Sequence, residues 1–89
     1  MKNVKTEVVM LTSAQLRAAR ALIRWSAEDL AKNSSVGVAT IRRAELSAEE
    51  LSMTASNNLA LRRALEEAGV QFIDENGGGA GVRLCKPGS

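Results

Sequence analysis

Ser26-Ala27-Glu28-Asp29-Leu30-Ala31-Lys32-Asn33-Ser34-Ser35-Val36-Gly37-Val38-Ala39-Thr40-Ile41-Arg42-Arg43-Ala44-Glu45 is the stretch on which the fold turns. Leu30, Ala31, Val36, Ile41 and Ala44 recur at spacings that close over one small apolar core if two short helices meet at a tight turn. Ser26 followed by Glu28 and Asp29 has the form of a helix start: a hydroxyl cap, then acids that favour the positive end of the helix dipole. The first helix of the pair therefore begins at about Ala27. Asn33, Ser34 and Ser35 compete for local backbone hydrogen bonds, and Gly37 loosens the chain ahead of the next periodic segment. The second helix is expected over residues 38–45, with the adjacent Arg42 and Arg43 turned outward.

Upstream, Thr12-Ser13-Ala14-Gln15 has the pattern of a capping box, so a helix is expected over residues 13–24. Leu16, Ala19, Leu22 and Ile23 form its apolar stripe, and Arg17, Arg20 and Arg24 lie away from that stripe. Trp25 follows at a helix junction, where a tryptophan packs into a core with its indole N–H satisfied. Downstream, residues 46–57 read as a polar loop with a short turn at Ser47-Ala48-Glu49-Glu50. Several possible caps lie in residues 54–58, and Leu59, Leu61, Ala64, Leu65 and Ala68 then make a helical face that ends at Gly69.

Val70-Gln71-Phe72-Ile73 and Val82-Arg83-Leu84-Cys85 read as the two strands of a hairpin around a glycine-rich turn at residues 76–81. An isolated hairpin is marginal in water. This one is expected to pack on the last helix, pair with the amino-terminal segment, or join its counterpart in a second subunit. Residues 1–11, with the β-prone run Val8-Val9-Met10-Leu11, form an arm or edge strand, and residues 86–89 a fraying tail. The division is thus an arm at 1–11, a helical domain at 12–69, a hairpin at 70–85 and a tail at 86–89, in a mainly α chain of four to five helices.

Eighty-nine residues at 45% hydrophobic content support one domain with a thin stability margin. Trp25 and Phe72 are the only aromatic residues, so the core must come from Leu, Ile, Val, Ala and Met, which suits close helix packing. A net charge of +2 permits contact with a polyanion without requiring it. One cysteine and no histidine exclude a disulfide framework and a Cys/His zinc site, and Cys85 reads as a plain thiol. No metal and no cofactor are expected. The apolar runs are too short for a membrane span and the amino terminus carries no secretory core, so the expected location is cytoplasmic. With no histidine, no base near the cysteine and carboxylates on solvated faces, the chain does not read as an enzyme. The glycine-rich turn lacks the Lys-Ser/Thr ending of a phosphate-binding P-loop and opens no helix.

The stretch Arg17-Ala18-Ala19-Arg20-Ala21-Leu22-Ile23-Arg24-Trp25-Ser26-Ala27-Glu28-Asp29-Leu30-Ala31, then Val36, Thr40-Ile41-Arg42-Arg43 and Glu45, resembles the phage-repressor and Cro-like helix-turn-helix regulators, also called XRE-type. The likeness resumes at Arg62-Arg63-Ala64-Leu65-Glu66-Glu67-Ala68-Gly69-Val70 and at residues 72–83, covering about 12–84 in all. It is closest to the small bacterial members of that group. Where the family often holds a turn glycine, a hydroxyl cap and a glutamine, this chain has Ser35, Gly37 and Ala27.

The resemblance implies a lambda-repressor-like helix-turn-helix bundle with a carboxy-terminal β-hairpin, acting as a sequence-specific transcriptional regulator on double-stranded DNA. The helix at 38–45 then enters the major groove. Gly37, Val38, Ala39, Thr40, Arg42 and Arg43 become candidates for base contact, arginine through a bidentate bond to guanine and Val38 and Ala39 through thymine methyls. Ser26, Ala27, Lys32, Asn57 and Asn58 become candidates for phosphate contact, chiefly through helix-start amides. A homodimer is implied, because one short helix reads few base pairs. The residues leave other readings open. Ser26, Asn57 and Asn58 serve equally as ordinary caps, Arg42 as a partner of Glu45, and Arg62 and Arg63 as partners of Glu66 and Glu67. An antitoxin-like module, working through the acidic face of the last helix and the hairpin on a small protein partner, is the alternative function.

Overall fold

The computed structural model describes residues 10–46 and 53–85. Four helices come first, α1 (Ser13–Ile23), α2 (Ala27–Ser34), α3 (Val38–Leu46) and α4 (Ala55–Glu67), followed by β1 (Val70–Ile73) and β2 (Gly81–Leu84). Residues 1–9 of the expected arm at 1–11, the short turn at 47–50 and the tail at 86–89 lie outside the described residues; Leu11, from the end of that arm, is buried in the core and not in a strand.

Each helix start is written locally. At α1, Thr12 Oγ1 accepts from the Gln15 amide and Gln15 Oε1 accepts from the Thr12 amide, both at 3.0 Å, completing the capping box. At α2, Ser26 and Asp29 make the same reciprocal pair, at 2.9 Å each way. Thr54 opens α4 by accepting from the Asn57 amide at 3.1 Å. Helix α3 has no hydroxyl cap: Gly37 precedes it and supplies only a carbonyl, to the Ile41 amide at 3.1 Å.

The helix ends are less ordinary. Arg24 closes α1 in the left-handed region at φ 58°, with the amides of Arg24 and Trp25 on the carbonyls of Ala21 and Arg20 in a Schellman arrangement. Ser35 closes α2 in the same region, at φ 65°. The left-handed residue of the turn between α2 and α3 is therefore a serine, and Gly37 does not have positive φ. After α4, Gly69 at φ 109° turns the chain into the hairpin.

Leu11, Leu16, Leu30, Ile41, Leu61, Leu65 and Val70 are each at most 2% exposed and bring all four helices and β1 into one core. Full burial of such a side chain stabilises by about 1.5–3 kcal/mol. Trp25, half-buried, packs against this core, which bears out the packing part of the expectation. Two stripe residues do not: Leu22 and Leu59 are 39% and 50% exposed, because the neighbouring elements cover only the flank of each helix that carries Leu16 and Ala19, or Leu61 and Leu65.

The hairpin is antiparallel, with Val70 opposite Leu84 and Phe72 opposite Val82. Its second strand starts at Gly81, one residue earlier than expected. It docks on both α1 and α4. Gln15 Nε2 donates to the carbonyls of Ile73 (3.2 Å) and Gly81 (3.0 Å), pinning the turn end of the ladder to the start of α1. On the other side the Arg62 guanidinium lies 5.3 Å from the Phe72 ring centre and pairs with Glu66 and Asp74 at 3.1 and 3.6 Å. Arg62 thus fulfils the expected i,i+4 pair and adds a tie to the strand end. No helix among the described residues is long and apolar enough to cross a membrane.

Candidate nucleic-acid interface

Helical spacing divides α3 into two sides. Ile41, Ala44 and Glu45 are buried, whereas Ala39, Arg42 and Arg43 are exposed, with Gly37 exposed just ahead of them. Residues 39, 42 and 43 stand at i, i+3 and i+4 and therefore share one face. Thr40 is half-buried at its border. Val38 departs from the expected set: it packs against the core, which turns its side chain away from the exposed face.

Helix α1 fixes this orientation from behind. Arg20 Nε and Nη2 meet the two Glu45 carboxylate oxygens at 2.7 and 2.8 Å, and Arg20 Nη1 donates to the Trp25 carbonyl at 2.8 Å. Ser13 Oγ donates to the Ala44 carbonyl at 2.7 Å and Arg17 Nη1 to the Glu45 carbonyl at 2.6 Å. The last carbonyls of α3 have no intrahelical partner, and α1 supplies the missing donors. The hydrogen bond from Glu45 is the main cause that raises the Arg20 pKa further above its ordinary value, against the opposing effect of burial. Arg20 was expected on the solvent side of α1, and the reach to a residue 25 positions away overturns that. The pair was foreshadowed in one respect. Glu45 shares the inner face with Ile41 and Ala44 by spacing, and a carboxylate placed there requires a cation.

Arg42 pairs with Glu28 on α2, not with Glu45, and both side chains remain largely exposed. Arg17, Arg42, Glu45 and Leu46 line a shallow depression of about 210 Å³ beside the arginine face. Arg43 stands exposed on the same face.

The candidate phosphate contacts fare unevenly. The Ser26 amide is taken by the Asp29 carboxylate, and Ala27 is buried at 5% exposure. Asp29 is held charged to lower pH than usual, chiefly by the hydrogen bond from the Ser26 backbone. The Ser26 amide is thus committed inside the capping box, and the carboxylates of Glu28 and Asp29 stand in the same turn as the amides from which a phosphate contact was expected. Lys32, in the last turn of α2, is exposed. The Asn57 amide is committed to Thr54 Oγ1 and the Asn58 amide to the Thr54 carbonyl, at 3.1 and 3.0 Å. Asn58 is 2% exposed and its Oδ1 accepts from the Leu11 amide at 2.9 Å, so it is an internal fastener and not a surface donor. Sequence spacing reveals neither this bond nor the burial.

No protein-family model matches the chain, and no curated protein matches it.

Proposed function

We propose that this chain is a sequence-specific double-stranded DNA-binding regulator of transcription, built on a phage-repressor-like helix-turn-helix fold and presenting α3 to the major groove. One observation supports it above the others: α3 keeps Ala39, Arg42 and Arg43 exposed on one face while Arg20, Arg17 and Ser13 hold its opposite side to α1. Arginine matches the paired acceptors O6 and N7 of guanine, and each such bidentate contact is worth about 1–3 kcal/mol of discrimination. A nine-residue helix reads few base pairs, so two copies acting on half-sites about 34–36 Å apart complete the reading.

Selection of bound fragments from sheared genomic DNA tests this. The expected result is a set of fragments sharing a repeated half-site, with affinity that falls steeply as salt rises. Recovery of no fragment above background at moderate salt by folded protein contradicts it. The exposed Glu66 and Glu67 on α4, beside the hairpin, favour a second reading, an antitoxin-like module with a protein partner. A single stoichiometric protein partner together with the absence of any DNA shift supports that reading instead.

A further inference from the structure

We infer that Glu28 is a positioning residue that sets the specificity of the arginine face, acting through Arg42. The inference rests on the DNA-binding reading of α3 and deepens it. Glu28 lies in the first turn of α2, and its carboxylate Oε2 meets Arg42 Nη2 across the gap between the two helices of the motif. Lys32 stands one turn along from Glu28 on the same helix, at the spacing of an i,i+4 pair, yet the carboxylate engages Arg42.

Two consequences follow from this placement. The first is orientation. A guanidinium carries its N–H donors in a rigid planar fork on a long, mobile stem. Glu28 engages only the Nη2 corner of a side chain that stays largely exposed, so part of the stem's freedom is lost before any ligand arrives while the other donors of the fork are not used by Glu28. The second is charge. Glu28 neutralises Arg42, so this side chain is a weaker partner for a phosphate than an unpaired arginine would be. Phosphate attraction, which is blind to sequence, is weakened, while the guanine-directed donors remain. Discrimination is a difference between two affinities, and Glu28 raises it from both sides.

The test compares the full-length protein with Glu28→Gln, Arg42→Ala and the double variant, on a selected duplex and on a random duplex of equal length. Glu28→Gln is expected to bind the random duplex severalfold tighter and to steepen the log–log salt dependence by about one unit, the effect of one more phosphate contact. Its ratio of selected to random affinity should fall about tenfold, with the loss confined to one base position in each half-site. In the Arg42→Ala background the same Glu28→Gln change should leave that ratio unmoved. Thermal unfolding of Glu28→Gln should stay close to the parent, since an exposed pair contributes little to stability. An unchanged ratio and salt slope in Glu28→Gln overturns the role of Glu28 while leaving the function of α3 standing, as does an equal fall of the ratio with Arg42 already removed. Failure of the parent protein to bind any duplex removes both.

Discussion

Arg20 and Glu45, 25 positions apart in the chain, meet through two hydrogen bonds with side chains only 22% and 9% exposed, and this junction sets how α3 sits on α1. Removing either partner strands a charge in a largely dry site. Glu45→Ala or Arg20→Ala should therefore lower stability by about 2–4 kcal/mol, read as a fall in the urea midpoint. Arg20→Lys should recover only part of this, because an ammonium cannot reproduce the two-point contact. A change below about 0.5 kcal/mol in Glu45→Ala, the range of ordinary surface substitutions, contradicts the role of this junction.

Asn58 joins the start of α4 to Leu11 by accepting the Leu11 amide inside the protein. Asn58→Leu keeps the volume but orphans that amide, and should cost about 1–3 kcal/mol. Hydrogen exchange at Leu11 is the direct readout: fast exchange is expected in the variant and slow exchange in the parent.

The turn between α2 and α3 carries two correctable choices. Ser35 has positive φ without being glycine, and Gly37 caps α3 without a hydroxyl. Ser35→Gly should stabilise by about 0.5–1 kcal/mol through relief of the left-handed conformation, less the greater freedom that glycine adds to the unfolded chain. Gly37→Ser should add a few tenths of a kcal/mol, since no atom lies within 4 Å of a Cβ built there. Thermal midpoints of the two single variants, and their near-additivity in the double, check both.

Local signals were legible and distant ones were not. Thr12 with Gln15, and Ser26 with Asp29, announce helix starts because both partners lie within one turn of each other. The inner face of α3 followed from the spacing of Ile41 and Ala44. Leu22 and Leu59 misled because periodicity locates a stripe but not the width of it that neighbours cover. Arg20, Arg17 and Asn58 were misassigned for a related reason: their partners stand 25, 28 and 47 positions away, and only the assembled fold brings them together. The docking of the hairpin on α1 through Gln15 belongs to the same class, since that side chain already serves the capping box.

Asp29 has a pH signature. Its pKa is lowered in the folded state by the Ser26 backbone and hydroxyl, so its contribution is fully present above the unfolded carboxylate value of about 3.8. It is lost as pH falls through the lower folded value. Asp29→Asn should therefore reduce the difference in thermal midpoint between pH 7 and pH 3 relative to the parent. An identical acid limb in the two proteins contradicts the assigned cause.

The central claim, that the exposed face of α3 reads base edges in the major groove, is tested most directly by methylation interference on a selected duplex with the parent protein and Arg43→Ala. Methylation of guanine N7 blocks the major-groove acceptor that arginine uses. The account expects interference at guanines within each half-site, with one of these positions silenced in Arg43→Ala. Binding unaffected by N7 methylation, or a pattern identical in the two proteins, contradicts it.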